Sequence, residues 1–160
     1  KPLGVMKCYA TRVGAGPFPS EVGGPLAESL RGLGKEYGAT TGRPRRVGWL
    51  DLVSLRYAIE LNGVEEVAVT KLDVLASSKE ARVCTAYKVM GSETSDFQHA
   101  AGHLDEAEPV LESPFSLHGS SFDGGLSAGV KQFVSFVEER LGVRVRIVSH
   151  GEERSKTIEL

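Results

Sequence analysis

The chain has 160 residues, of which 41% are hydrophobic and 25% charged, with a formal net charge of -2. That length and balance suit one globular domain with a real core and exclude a disordered or collagen-like chain. The slight acidic excess argues against a general nucleic-acid binder, which normally carries a basic surplus against phosphate.

"GVMKCYATRV", Gly4–Val13, is short, apolar and rich in strand formers, so it predicts one strand. A glycine- and proline-rich loop, "GAGPFPSEVGG", follows. "PLAESLRGLGKEYG" predicts a helix with Pro25 in its first turn and Gly34 or Gly38 as its stop. Then comes "GATTGRPRRVGWLD", in which Arg43, Arg45 and Arg46 crowd around Pro44 with no acid between Glu36 and Asp51. Val47 to about Leu61 predicts a helix buried on more than one face, stopped by Asn62 and Gly63.

Glu65–Leu75 and Arg82–Met90 predict buried strands. Between Gly91 and Ser121 the periodicity weakens, which predicts loops with one short helix at most. "LSAGVKQFVSFVEERLG" predicts an amphipathic helix with Val130, Phe133, Val134, Phe136, Val137 and Leu141 inward. "VRVRIVSHG" and "KTIEL" predict the last two strands. Strands separated by helices imply an α/β fold with a mostly parallel central sheet flanked by helices. In such sheets ligands collect at the carboxyl ends of the strands, where "TRVGAG", "TKLDVL" and "VSHGEER" fall.

Cys8 and Cys84 sit in apolar runs and are expected as free buried thiols, which fits a cytoplasmic protein. No apolar run reaches bilayer length, so no membrane partner is expected. His99 and His103 stand at i and i+4, a metal-capable spacing on a helix, but Gly102 and the lack of a third ligand favour a solvated face. The chain opens at Lys1 inside an apolar run, which suggests a piece of something longer.

Several segments suggest chemistry. In "TKLD" a carboxylate such as Asp73 can accept from the N1–H and exocyclic amine of guanine together, while the stem of Lys71 lies along the purine face. Adenine would leave that carboxylate unpaired. Alone, a Lys-x-Asp strand end is a weak match and more often marks an ordinary surface ion pair. Ser149 and Gly151 can offer backbone N–H groups to the guanine O6, or simply form a turn. Glycines 14 and 16 permit close backbone approach after Val13, yet the chain has no phosphate-binding P-loop pattern. Three arginines on a proline-stiffened loop predict recognition of a discrete anion; pairing with acids elsewhere in the fold is the alternative.

"TRVGAGPFPSE", "GKEYGATTGRPRRVGWLDL", "LNG" and "TKLDVL", in this order and spacing, resemble the C-terminal part of adenylosuccinate synthetases. The resemblance runs from Gly4 to Tyr87 and resumes through the late helix to "VSHGEER". It implies part of a P-loop-NTPase-like fold, with residues 1–160 the C-terminal portion carrying the aspartate loop and the guanine-binding elements. The family is a purine-biosynthetic ligase: GTP phosphorylates the 6-oxygen of IMP, and the L-aspartate amine displaces that phosphate.

The resemblance further implies that Ala39, Thr40, Thr41, Gly42, Arg43, Pro44 and Arg45 form the aspartate loop. Val13 and Arg43 would face IMP. Arg45, Lys71, Leu72, Asp73, Ser149, His150 and Gly151 would face GTP. Mg2+ and a homodimeric assembly are implied as well, with the phosphate loop and the catalytic aspartate and histidine N-terminal to these residues. These 160 residues alone are therefore expected not to catalyse.

Two departures stand out. Residues 109–125 lack the family's Leu-Pro-Gly-Trp stretch and are short, as in compact archaeal forms, and Glu152 stands where proline is usual. The rival readings are a non-catalytic guanine-nucleotide-binding module and an RNA binder using the three arginines. The first needs no "ATTGRPR" loop, and the second is disfavoured by the net charge.

Overall fold

A computed structural model describes residues 1–160. The apolar run at the start is two strands rather than the single one predicted: β1 (Leu3–Lys7) and β2 (Tyr9–Arg12) lie in different sheets. Cys8 is the hinge between them. Its N–H donates to the Thr70 carbonyl at 3.0 Å, ending one ladder, and its fully buried thiol donates to the Lys71 carbonyl at 2.9 Å. Tyr9 then begins the next ladder, opposite Trp49.

The first sheet has the order β1, β4 (Glu66–Thr70), β8 (Arg144–Ser149), β9 (Thr157–Glu159). Its first three strands are parallel and β9 is antiparallel. The register sets Lys7 beside Thr70 and Val69 beside Val148, so the carboxyl ends of β1, β4 and β8 gather on one edge. The second sheet is mixed. β2 runs antiparallel to β3 (Arg46–Asp51), which is parallel to β5 (Val83–Val89); β6 (Ser92–Thr94) and β7 (Glu108–Glu112) then pair antiparallel with β5.

Two predicted boundaries move. Val47–Asp51, expected to open a helix, are strand; all five are buried, and a short run buried on both faces has no periodicity to tell strand from helix. The helix α2 (Leu52–Asn62) starts one residue after Asp51, whose Oδ1 accepts from the Val53 and Ser54 N–H groups at 3.1 Å each. The predicted strand Glu65–Leu75 covers Glu66–Thr70 only. Lys71 then turns into the left-handed region at φ 67° and α3 (Leu72–Ser77) follows.

Helices α1 (Gly24–Gly34) and α5 (Ala128–Leu141) lie where the periodicity placed them, the latter closed by Gly142 at φ 69°. The stretch expected to be mostly loop holds β6, β7 and the short helix α4 (Phe97–Ala100), capped by Asp96. These fill the edges of β5, whose Val83, Cys84, Ala86, Tyr87 and Val89 are buried. The main core joins Leu30, Trp49, Leu52, Leu72, Val130, Phe133 and Val137 across both sheets and the flanking helices. No helix is long and apolar enough to cross a membrane.

Candidate functional site

The gathered carboxyl ends of β4 and β8 open onto a cavity of about 510 Å3 lined by Lys71, Asp73, Ser149, Gly151 and, at its rim, Lys35 and Glu152. A volume of this order suits a small-molecule site. Asp73 is the informative member. Its Oδ1 is closed to solvent and receives no hydrogen bond, whereas buried carboxylate oxygens are normally paired. Lys71 Nζ donates to the Gly34 carbonyl at 3.1 Å, which fixes the lysine stem against the end of α1. Gly151 is needed where it stands, because a Cβ there would meet Lys156 Cγ at 2.9 Å.

The other two residues of this predicted set are placed differently. Leu72 is 1% exposed, with its side chain in the core. The ring of His150 stacks flat on Phe122 at 4.2 Å and does not line the cavity. Ser149 and Gly151 therefore reach the cavity on either side of a histidine turned away from it.

Two of the three loop arginines pair with acids elsewhere in the fold, the alternative that the sequence left open. Arg45 Nη1 donates to Glu36 Oε2 at 2.8 Å. Arg46 grips Glu21 with two bonds, Nε to Oε1 at 2.8 Å and Nη2 to Oε2 at 2.6 Å. Only Arg43 is exposed with no ion pair or hydrogen bond on its guanidinium. The acids that neutralise the other two lie 9 and 25 residues away, out of reach of a local scan. The turn carrying Ala39, Thr40, Thr41 and Gly42 is closed by backbone hydrogen bonds. Gly38 N–H donates to the Arg43 carbonyl at 2.8 Å, Gly42 N–H to the Gly38 carbonyl at 2.9 Å, and Arg45 N–H to the Glu36 carbonyl at 2.9 Å. Pro44 is exposed and bridges to Tyr37.

Glu36 is a residue that sequence reasoning passed over. Its carboxylate is 1% exposed. Oε1 accepts from Lys7 Nζ at 2.7 Å and from the Tyr9 hydroxyl at 2.6 Å, while Oε2 takes Arg45. Burial alone would push this carboxyl up, but the bonds from Lys7, Tyr9 and Arg45 outweigh it and hold the group below its usual range. Its neighbours in "GKEYG" gave no signal, because Lys35 pairs with Glu152 and the partners of Glu36 come from β1, β2 and the arginine loop.

The loop after β2 is clamped from both sides. Arg12 donates to the Ala15 and Pro17 carbonyls at 3.2 and 3.0 Å, and Arg46 Nη1 to the Gly16 carbonyl at 2.7 Å and the Gly14 carbonyl at 3.3 Å. Gly16 adopts φ 110°, and a Cβ there would meet Arg12 Nη2 at 2.6 Å. Val13, at the loop's start, is 80% exposed. His99 lies in α4 and His103 in the following 3-10 turn, so they do not share a helix face. Nowhere do three or more His, Cys, Asp or Glu residues gather into a metal-binding group.

A profile of the adenylosuccinate synthetase family matches residues 1–158. The chain is 44% identical to the adenylosuccinate synthetase of Moorella thermoacetica over 164 residues, covering 100% of this chain and 38% of that protein. It is 46% identical to that of Sorangium cellulosum over 162 residues, 98% of this chain and 37% of that protein. Among solved structures, the fully ligated adenylosuccinate synthetase of Plasmodium falciparum superposes with a TM-score of 0.81 at 33% identity, over 99% of this chain and 39% of that one. A succinoaminodeoxyadenylate synthetase of cyanophage S-2L, at 19% identity and a TM-score of 0.52 over 98% of this chain and 32% of that one, shares the fold. The chain thus spans 38% or less of the length of these two curated relatives.

Proposed function

The chain belongs to the adenylosuccinate synthetase family, and we propose that it is the C-terminal portion of such an enzyme, supplying the aspartate- and guanine-binding elements of a GTP-dependent ligase. The reaction joins L-aspartate to IMP in purine biosynthesis, giving adenylosuccinate, GDP and phosphate, in a cytoplasmic homodimer. The observation that carries this reading is Asp73, which lines one cavity with Lys71, Ser149 and Gly151 and whose carboxylate keeps one buried oxygen that receives no hydrogen bond.

Each element has a task in that reaction. Asp73 accepts the N1–H and exocyclic amine of guanine, while Ser149 and Gly151 present backbone to its O6 edge and Leu72 and His150 hold the two walls in place. Arg43, with Thr40 and Thr41, takes the two carboxylates of aspartate, and Arg43 also lies toward IMP. Arg45, tethered but with most of its five donors unused, reaches the nucleotide. Val13 packs on IMP from the clamped loop. Holding the amine of aspartate against the activated carbon of IMP converts a bimolecular step into one within the complex. Mg2+ belongs to the family's chemistry, where it would neutralise transferring phosphate, and its protein ligands are assigned to the part of the enzyme N-terminal to these residues.

Asp73→Asn in the complete synthetase tests the reading. An amide cannot accept both guanine donors, so kcat/KM for GTP is expected to fall roughly 10- to 100-fold, the loss of a charge-assisted pair of bonds. Activity with XTP is expected to rise, because xanthine offers a carbonyl where guanine has its amine. An Asp73→Asn enzyme with unchanged GTP preference over both XTP and ATP would overturn the assignment of this cavity.

A further inference from the structure

We infer that Glu36 is a positioning residue that joins the loop after β2 to the arginine loop through Lys7, so that occupancy of one loop is felt by the other. The inference rests on the reading above, in which Val13 faces IMP and residues 39–45 take aspartate.

The physical link is continuous. Lys7 Nζ donates both to Glu36 Oε1, at 2.7 Å, and to Thr11 Oγ1, at 3.1 Å. Thr11 lies in β2, next to the Arg12 whose guanidinium holds the Ala15 and Pro17 carbonyls. On the far side, Glu36 Oε2 holds Arg45 Nη1 at 2.8 Å, and the Glu36 main-chain carbonyl holds the Arg45 N–H at 2.9 Å. Four side chains, Thr11, Lys7, Glu36 and Arg45, form one unbroken hydrogen-bonded line from the end of β2, two residues before Val13, to the arginine loop.

The packing leaves this line little slack. Tyr9 is 2% exposed and its hydroxyl donates to Glu36 Oε1 at 2.6 Å. That hydroxyl also sits where a Cβ on Gly34 would have to go, so the carboxylate is wedged from behind. Two cations share the one carboxylate, which leaves a surplus positive charge facing outward on half-buried groups. Lys7 and Arg45 keep side-chain exposures of 30% and 33%. Glu36 thus aims Arg45 without consuming it: a single guanidinium N–H is engaged, and the remaining donors await a ligand. A shift of Arg45 toward an incoming anion pulls on Glu36, hence on Lys7 and Thr11, and a shift of the Val13 loop acts in reverse. Linkage makes such coupling reciprocal.

The test is made in the complete synthetase, reading KM for aspartate at low and at saturating IMP. With the line intact, saturating IMP is expected to lower that KM about fivefold or more, the usual span of coupling between sites. Replacing Glu36 itself risks unfolding, so the informative variants are Lys7→Met and Thr11→Val, which cut the line while Arg45 and Tyr9 still pair the buried carboxylate. Each is expected to bring the KM ratio close to one, and the double variant to add nothing further. Purine preference, measured as GTP against ATP, is expected to stay native in both.

A Lys7→Met enzyme with the native KM ratio, or a native enzyme whose KM does not respond to IMP, would overturn the inference. Arg43→Leu separates this from failure of the underlying reading. If Arg43→Leu raises KM for aspartate while Lys7→Met leaves the ratio intact, the loop assignment stands and the coupling falls. If Arg43→Leu leaves aspartate binding unchanged, the loop assignment falls and the coupling falls with it.

Discussion

Lys35 and Glu152, 117 positions apart in the chain, meet at 2.9 Å on the rim of the cavity that Asp73 lines. Both side chains are more than 70% exposed, so the contact is a hydrated ion pair. Such pairs contribute little to stability, because water and salt screen them. Glu152→Ala is therefore expected to leave the unfolding midpoint within a few degrees of native, with the difference vanishing in high salt. A large loss in thermal melts would mean that the rim is a structural clasp rather than a loose edge.

Asp51 makes a different kind of contact and has the opposite pH signature to Glu36. It is 6% exposed, caps α2, and accepts from the Tyr87 hydroxyl. Burial raises its carboxyl above the usual value near 3.8 despite these bonds. The native state therefore holds a proton that the unfolded chain has already released, and the stability from this group is lost as pH rises through the raised value. Glu36, held low, contributes above its ordinary value and loses that contribution as pH falls through the lowered one.

Asp51→Asn keeps an acceptor for the cap and cannot ionise. Relative to native, it is expected to gain stability as pH rises from the ordinary value near 3.8 through the raised one, and to gain nothing further above that. Trp49, the one tryptophan, is buried two residues away and reports the unfolding. A difference between the two proteins that does not change with pH would show that Asp51 titrates normally.

Much of this is legible in the sequence, and the failures have physical causes. The late helix is readable because Val130, Phe133, Val134, Val137 and Leu141 repeat at helical spacing and Gly142 stops it. Residues 47–51 and 72–75 defeat the reading because both stretches are largely buried, which erases the contrast on which periodicity depends. Asp51 marks the boundary as an N-cap but lies inside an apolar run. Lys71, Asp73, Ser149 and Gly151 stand out as local motifs and do share one cavity. Glu36 and Glu21 are invisible as partners of Arg45 and Arg46, since pairing across 9 and 25 residues is a property of the fold.

Arg43 follows from that correction as the separable cation of its loop. Its guanidinium is exposed and makes no ion pair or hydrogen bond, so Arg43→Leu is expected to change stability by no more than about 0.5 kcal/mol. Its loss from a carboxylate contact is expected to raise KM for aspartate about 10- to 100-fold. Arg45 and Arg46 cannot give this clean split, because removing Arg45 leaves the buried Glu36 Oε2 unpaired and removing Arg46 leaves Glu21 without its partner. Equal damage to folding and to aspartate binding in Arg43→Leu would show that the free guanidinium has a structural partner after all.

Gly48 tests whether the strand that leads out of the arginine loop also fixes the loop after β2. It lies in β3, and a Cβ there would meet the Ser20 carbonyl oxygen at 2.5 Å and the Phe18 ring at 2.8 Å. The Trp49 N–H donates to that same Ser20 carbonyl at 2.9 Å, so the oxygen cannot retreat without losing a backbone bond. Phe18 is also held, since the Arg46 guanidinium lies 5.4 Å from its ring centroid. Gly48→Ala must therefore push residues 18–20 outward and drag Glu21 from Arg46. Overpacking of this kind costs about 1–3 kcal/mol. The expected result is a stability loss in that range together with a weaker IMP interaction, because Arg46 also holds the Gly14 and Gly16 carbonyls beside Val13. Lost stability with native IMP binding would show that the Val13 loop keeps its shape through Arg12 alone.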